Sequence, residues 1–174
     1  MAETPNPGRI QRVPQGLLQV LNMQNSGETP RELAASVAGI VDLLQFYGLT
    51  QLQRMSASDG ALAEAGNISI QTPNAWCLLF GANARAVQTA TQTALRLNIL
   101  INRTPGAAAG TSIPVASGSP FAYGATFTGD FDVPWRAPYP LLMPPLSLIQ
   151  ANLSLLGTDA TASVNILAEV GVLG

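Results

Sequence analysis

The sequence has no histidine and no lysine, and all eight of its basic residues are arginine. Without imidazole there is no Ser-His or Cys-His pair and no histidine metal ligand. Without an ε-amine there is no Schiff-base nucleophile and no phosphate-loop lysine. The single cysteine, Cys77 in the run AWCLLF, excludes an internal disulfide and any zinc site built from several thiolates. It reads as a small buried hydrophobe. Charge of either sign is also scarce. Asp, Glu, Lys and Arg together make 10% of the 174 residues, against about 25% in ordinary soluble domains. No apolar run reaches the roughly 18 residues of a membrane-spanning helix. The first one, GLLQVL, is too short for a signal peptide.

The remaining composition is apolar at 47%, with Ala, Gly, Ser, Thr, Asn, Gln and Pro in the places that charge usually occupies. A monomer relies on surface charge for solubility, whereas the centres of obligate interfaces are depleted in it. The composition therefore predicts a chain that works as a homo-oligomer or against other proteins. A net charge of −2 argues against a nucleic-acid-binding surface. Arg9 and Arg12, in the N-terminal stretch, form the one local basic pair.

Three regions follow from the pattern. Residues 1–15 are polar, carry three prolines and predict an extended arm. Residues 16–48 form a helical segment. Within it Thr29, Pro30 and Glu32 supply an N-cap, a first-turn proline and a capping box. Leu33, Val37, Ile40, Val41 and Leu44 then recur at helical spacing up to Gly48. The spacing predicts one amphipathic helix over residues 30–47, with its stripe against a sheet or a neighbouring subunit.

Residues 49–174 change to period two. The short runs LTQLQRMSA, GNISIQTP and AWCLLFGA read as strands. In ALRLNILINR the apolar Leu95, Leu97, Ile99 and Ile101 alternate with a more polar set. The uncharged stretch 104–126 reads as a long loop or a loosely paired edge, and TFTGDFDVPW as a further strand. LSLIQANLSLL and ATASVNILAEVGVL, on either side of GTD, read as a closing hairpin. Many strands, one leading helix and no βαβ alternation give a mainly β fold, an antiparallel β-sandwich.

The stretch VPWRAPYPLLMPPLSL places five prolines, Pro134, Pro138, Pro140, Pro144 and Pro145, among aromatic and leucine residues. Proline has no N–H and fixes φ, so this is neither a helix nor a central strand. It predicts an extended run along a sheet edge or across from one sheet to the other, with Trp135 and Tyr139 covering the end of the core.

An arm, a helix and a sandwich with P…LLMPPLSL before its last strands resembles the jelly-roll accessory proteins of viral particles, tailed phages especially. It is also similar to carbohydrate-binding jelly rolls. The first resemblance implies a non-enzymatic decoration or minor structural protein of a virion, held to other virion proteins through the arm. The second implies a binding module for a glycan or cell-surface receptor, with Tyr123, Trp135 and Tyr139 as the platform. Neither implies a catalytic residue, a metal or a cofactor.

Carboxylates are the one reactive class left. Asp130 and Asp132 in TGDFDVP are two apart, so on a strand they share a face. Such a pair is solvated, paired with arginine (Arg136 or Arg103 are the candidates) or bridged by a hard cation. Three Asn-x-Ser/Thr triplets start at Asn67, Asn102 and Asn152. With no signal peptide read ahead of them, they are products of composition.

Overall fold

The protein is described by a computed structural model covering residues 20–21, 24, 30–63, 66–92, 94–104, 112–119, 127–156 and 161–174. Helix α1 (Pro30–Tyr47) lies where the capping signal and stripe place it; Thr29 itself is outside the described residues. Gly48 follows at φ 68°, a left-handed conformation that glycine adopts without a Cβ penalty, and its N–H closes the helix on the Leu44 carbonyl at 2.9 Å.

Among the described residues eight strands come next: β1 (Leu49–Ala63), β2 (Asn67–Gln71), β3 (Cys77–Gln92), β4 (Ala94–Asn102), β5 (Ile113–Gly118), β6 (Phe127–Met143), β7 (Leu148–Leu156) and β8 (Thr161–Leu173). They form two four-stranded antiparallel sheets. The front sheet has the order β1-β8-β3-β6 and the back sheet β2-β7-β4-β5. The pairing is nested: β1 with β8, β2 with β7, β3 with β6 and β4 with β5. A long antiparallel ribbon folded over on itself gives this pattern, so the sandwich is a jelly roll.

The core lies between the sheets and follows the period-two pattern. Leu97, Ile99 and Ile101 of β4, with Ile149 and Leu153 of β7, project from the back sheet. Opposite them the front sheet sets small residues, Ala82, Ala84 and Ala86 of β3, beside Val164, Ile166 and Val170 of β8. The alanines of β3 leave room that the larger side chains around them occupy, and the interlayer space is filled. A second, smaller core lies on the outer face of the front sheet, where Leu78, Leu142 and Leu173 meet Val20, Leu21 and Ile40. Gly39 makes this contact possible: a Cβ there would sit 2.6 Å from the Val20 Cγ2.

The fold revises one expectation and makes two others specific. The closing hairpin does not form. β7 pairs with β2 and β4 in the back sheet, and β8 with β1 and β3 in the front sheet. Alternation fixed the inward face of each strand, and both faces point into the same core from opposite sides. Second, the proline run is not separate from the strand before it: β6 continues from Phe127 through Pro134, Pro138 and Pro140 to Met143 at the edge of the front sheet. The register with β3 jumps from Leu79↔Leu141 to Gly81↔Arg136, so residues 137–140 bulge out, a place where the donor-less Pro138 and Pro140 are tolerated. Pro144 and Pro145 then carry the chain across to β7. Leu146 takes φ 58° in this turn and donates its N–H to the Pro73 carbonyl at 3.1 Å. Third, the helical stripe is only half covered. Ile40 is buried, whereas Val37 and Val41 are 42% and 46% exposed.

Candidate functional site

The open edge of β6 is where sequence-distant polar groups converge. Gln24 is buried, and its side chain lies along this edge like a short piece of an added strand. Its Oε1 accepts from the Leu142 N–H at 2.7 Å, and its Nε2 donates to the Pro140 carbonyl at 3.0 Å. Arg103 Nη1 donates to the same Oε1 at 3.0 Å. Burial pulls the Arg103 guanidinium below its ordinary value, partly offset by neighbouring Tyr139. One glutamine thus caps an edge that would otherwise offer free backbone groups, and ties the segment before α1 to the sandwich.

Trp135 is half-buried and packs against the inter-sheet core, beside Val133 of the same strand face. That matches its expected covering role. Tyr139 is half-buried on the bulge. Arg9, Arg12 and Tyr123 lie outside the described residues. Of the five sequence-derived interaction residues, Trp135 and Tyr139 are the two described, and both lie on β6.

What it does assemble is a charged region on the outer face of the front sheet. The register sets Arg54, Glu169, Gly81 and Arg136 in one row across the four strands. Glu169 bridges the row, with Arg136 at 2.7 Å and Arg54 at 3.6 Å. Gly81 is required between them, since a Cβ would sit 2.7 Å from the Trp135 carbonyl oxygen. The next row, Ser56, Leu167, Asn83 and Pro134, is uncharged. The gap over Gly81 and Asn83 is a shallow concavity of about 240 Å³ between the Arg136–Glu169 pair and Leu167.

Further along, Arg85 lies opposite Asp132, and Asp130 opposite Val87. Both aspartates are exposed on one face, as their spacing predicts. Their arginine is neither Arg136 nor Arg103 but Arg85, which bonds to Asp130. That bond, with the nearby charge of Asp132, holds the Arg85 guanidinium more firmly protonated. Sequence reasoning missed Arg85 because it arrives from β3, and only the register shows the pairing. Among the described residues no cluster of three or more metal-ligating side chains occurs.

The outer face of the back sheet is different. Asn67, Asn152 and Asn98 lie side by side on β2, β7 and β4. Asn98 donates to the Asn152 oxygen at 3.2 Å, and Asn152 to the Asn67 oxygen at 2.8 Å. Gln150 extends the network to Ser69 at 3.1 Å and accepts from Ser112 at 2.8 Å. Two of the three triplet asparagines are thus engaged in a neutral amide ladder. Cys77 is fully buried, and burial pushes its thiol up to about 11, so it is inert in the folded protein.

No protein-family model and no curated protein matches the chain. Solved structures align to 71% of it. A structure of infectious bursal disease virus, Gx strain, does so at 16% identity and a TM-score of 0.38, over 32% of that chain. The Gt strain of the same virus gives 15%, 0.31 and 33%. A structure of black queen cell virus gives 11%, 0.21 and 67%. The protein spans about a third of the length of the infectious bursal disease virus chains it matches.

Proposed function

We propose that this jelly roll is a non-enzymatic structural subunit of a large symmetric assembly, in a virus particle as a decoration or minor structural protein. One observation carries the reading. Val37, Val41 and Phe46 of α1, with Leu49 and Leu52 of the adjoining β1, are 42% to 70% exposed, in a chain with only 10% charged residues. Large apolar side chains left exposed on two consecutive elements fit contact surfaces. The chemistry of the front sheet points the same way, because Asp130 and Glu169 are engaged by arginines and Cys77 is sealed in the core. Multi-angle light scattering of the purified chain tests the reading. The expected result is a mass that rises with concentration above the 18.1 kDa of one chain. A constant monomer mass at millimolar concentration would overturn it.

A further inference from the structure

We infer that the outer face of the front sheet is a self-complementary docking surface whose partner is the same face of a second copy of this chain. The inference rests on the assembly reading above and names the surface. Its basis is the order of charge along the strands. The row of Arg54, Glu169 and Arg136 has two guanidiniums against one carboxylate, an excess of one positive charge. The opposite end has Asp130 and Asp132 against Arg85, an excess of one negative charge. The uncharged row of Ser56, Leu167, Asn83 and Pro134 lies between them. Helix α1 stands at the apolar end, over Leu78 and Leu142, and leaves these rows open: the Arg136 and Arg54 side chains are 76% and 75% exposed and that of Asp130 is 48% exposed.

A surface with opposite charge at its two ends is matched by its own image under a two-fold rotation, the geometry of an isologous interface. With the axis lying across the strands, between the Asn83 row and the Arg85 row, each strand faces its own counterpart in reverse. Arg136 of each copy then stands over Asp130 of the other. Near the axis Pro134 stands over Asp132 of the other copy, Asn83 over Arg85 and Leu167 over Asn165, so the centre is mixed in polarity.

The area is adequate for a real but weak contact. With about 4.8 Å between strands and about 6.8 Å between successive residues on one face, four strands by four rows cover about 500 Å² per copy. The pair then buries about 1,000 Å², near the lower limit of a specific interface. The contact is therefore salt-sensitive, and it suits a subunit held by many such contacts rather than a tight isolated dimer.

Charge reversal tests the geometry. Arg136→Asp and Asp130→Arg each place like charges at both copies of the contact. Each variant alone should raise the dimer dissociation constant at least about tenfold in sedimentation equilibrium. In an equimolar mixture each chain's Asp or Arg at position 136 meets the opposite charge at 130, so the dimer returns to within a few-fold of wild type. Circular dichroism and thermal melts establish that each variant is folded. Arg136→Gln and Asp130→Asn each remove both contacts from their own dimer but leave one Arg136–Asp130 contact in the mixed dimer, so each should weaken association alone and recover in part on mixing, and this pair carries the test if a reversal fails to fold. Recovery on mixing the reversed variants supports the interface. A wild type that associates while every variant does so equally well overturns this face and leaves the assembly reading standing. A wild type that is monomeric throughout overturns both.

Discussion

Gln24 and Leu142 stand 118 positions apart in sequence and share a hydrogen bond of 2.7 Å from the Leu142 N–H to the Gln24 Oε1. The same oxygen accepts from Arg103, and the same amide donates to Pro140. The bonds use three of the four that a glutamine amide can make. Removing it leaves a buried N–H and a desolvated guanidinium without this acceptor. Gln24→Ala should cost about 1–3 kcal/mol in urea unfolding. A change below about 0.5 kcal/mol would mean that the clasp contributes little.

Trp135 separates the structural role from the glycan-binding alternative. Its ring packs on the inter-sheet core, so Trp135→Ala should destabilise the fold by about 3 kcal/mol, the lower end for a large aromatic because it is only half-buried. Retained stability together with loss of binding on a glycan array would favour the binding module instead.

Gly81→Ala places a methyl 2.7 Å from the Trp135 carbonyl oxygen. That neighbour is backbone and cannot swing away, so the bulge must shift. A loss of about 1–3 kcal/mol is expected, read as a lowered midpoint in chemical denaturation. An unchanged midpoint would show that the strands can separate there at no cost.

Cys77 titrates late. Burial raises its thiol from 9.0 to about 11. A group whose folded value is raised contributes its full stability below the unfolded value and loses it as pH rises through the folded one. Stability should therefore fall between pH 9.0 and about 11, and Cys77→Ala should flatten that part of the profile. Native protein at pH 8 should also resist a thiol reagent that labels the unfolded chain at once.

The sequence announced what is local and withheld what is relational. Thr29, Pro30 and Glu32, followed by a stripe ending at Gly48, mark a helix because caps and periodicity act within a few residues. β4 is equally plain, since Leu97, Ile99 and Ile101 alternate with Arg96 and Asn98. Five prolines near 140 told of an edge, and β6 is one. Period two reveals which side of a strand is buried but not which strand lies beside it, so β7 and β8 read as a hairpin although they belong to different sheets. The charged rows were hidden for the same reason. Arg54, Gly81, Arg136 and Glu169 become neighbours only through three separate registers. Asp130 and Asp132 were visible as a pair, whereas their counter-ion Arg85 was not.

The nested pairing also sets an order of events for a growing chain. Only β4 and β5 are close enough in sequence to meet early, and each pair further out must wait for the one inside it, because closing a short loop costs less entropy than closing a long one. β1 remains without its single neighbour until β8, the last strand in sequence, has been made. Until then β1 and β3 each present a bare edge on the side that β8 will fill. Substitutions in β4 and β5 should accordingly slow folding, whereas those in β1 and β8 should chiefly hasten unfolding. The front sheet, which carries the charged rows, has all four strands side by side only once β8 is in place, so the full docking face forms late.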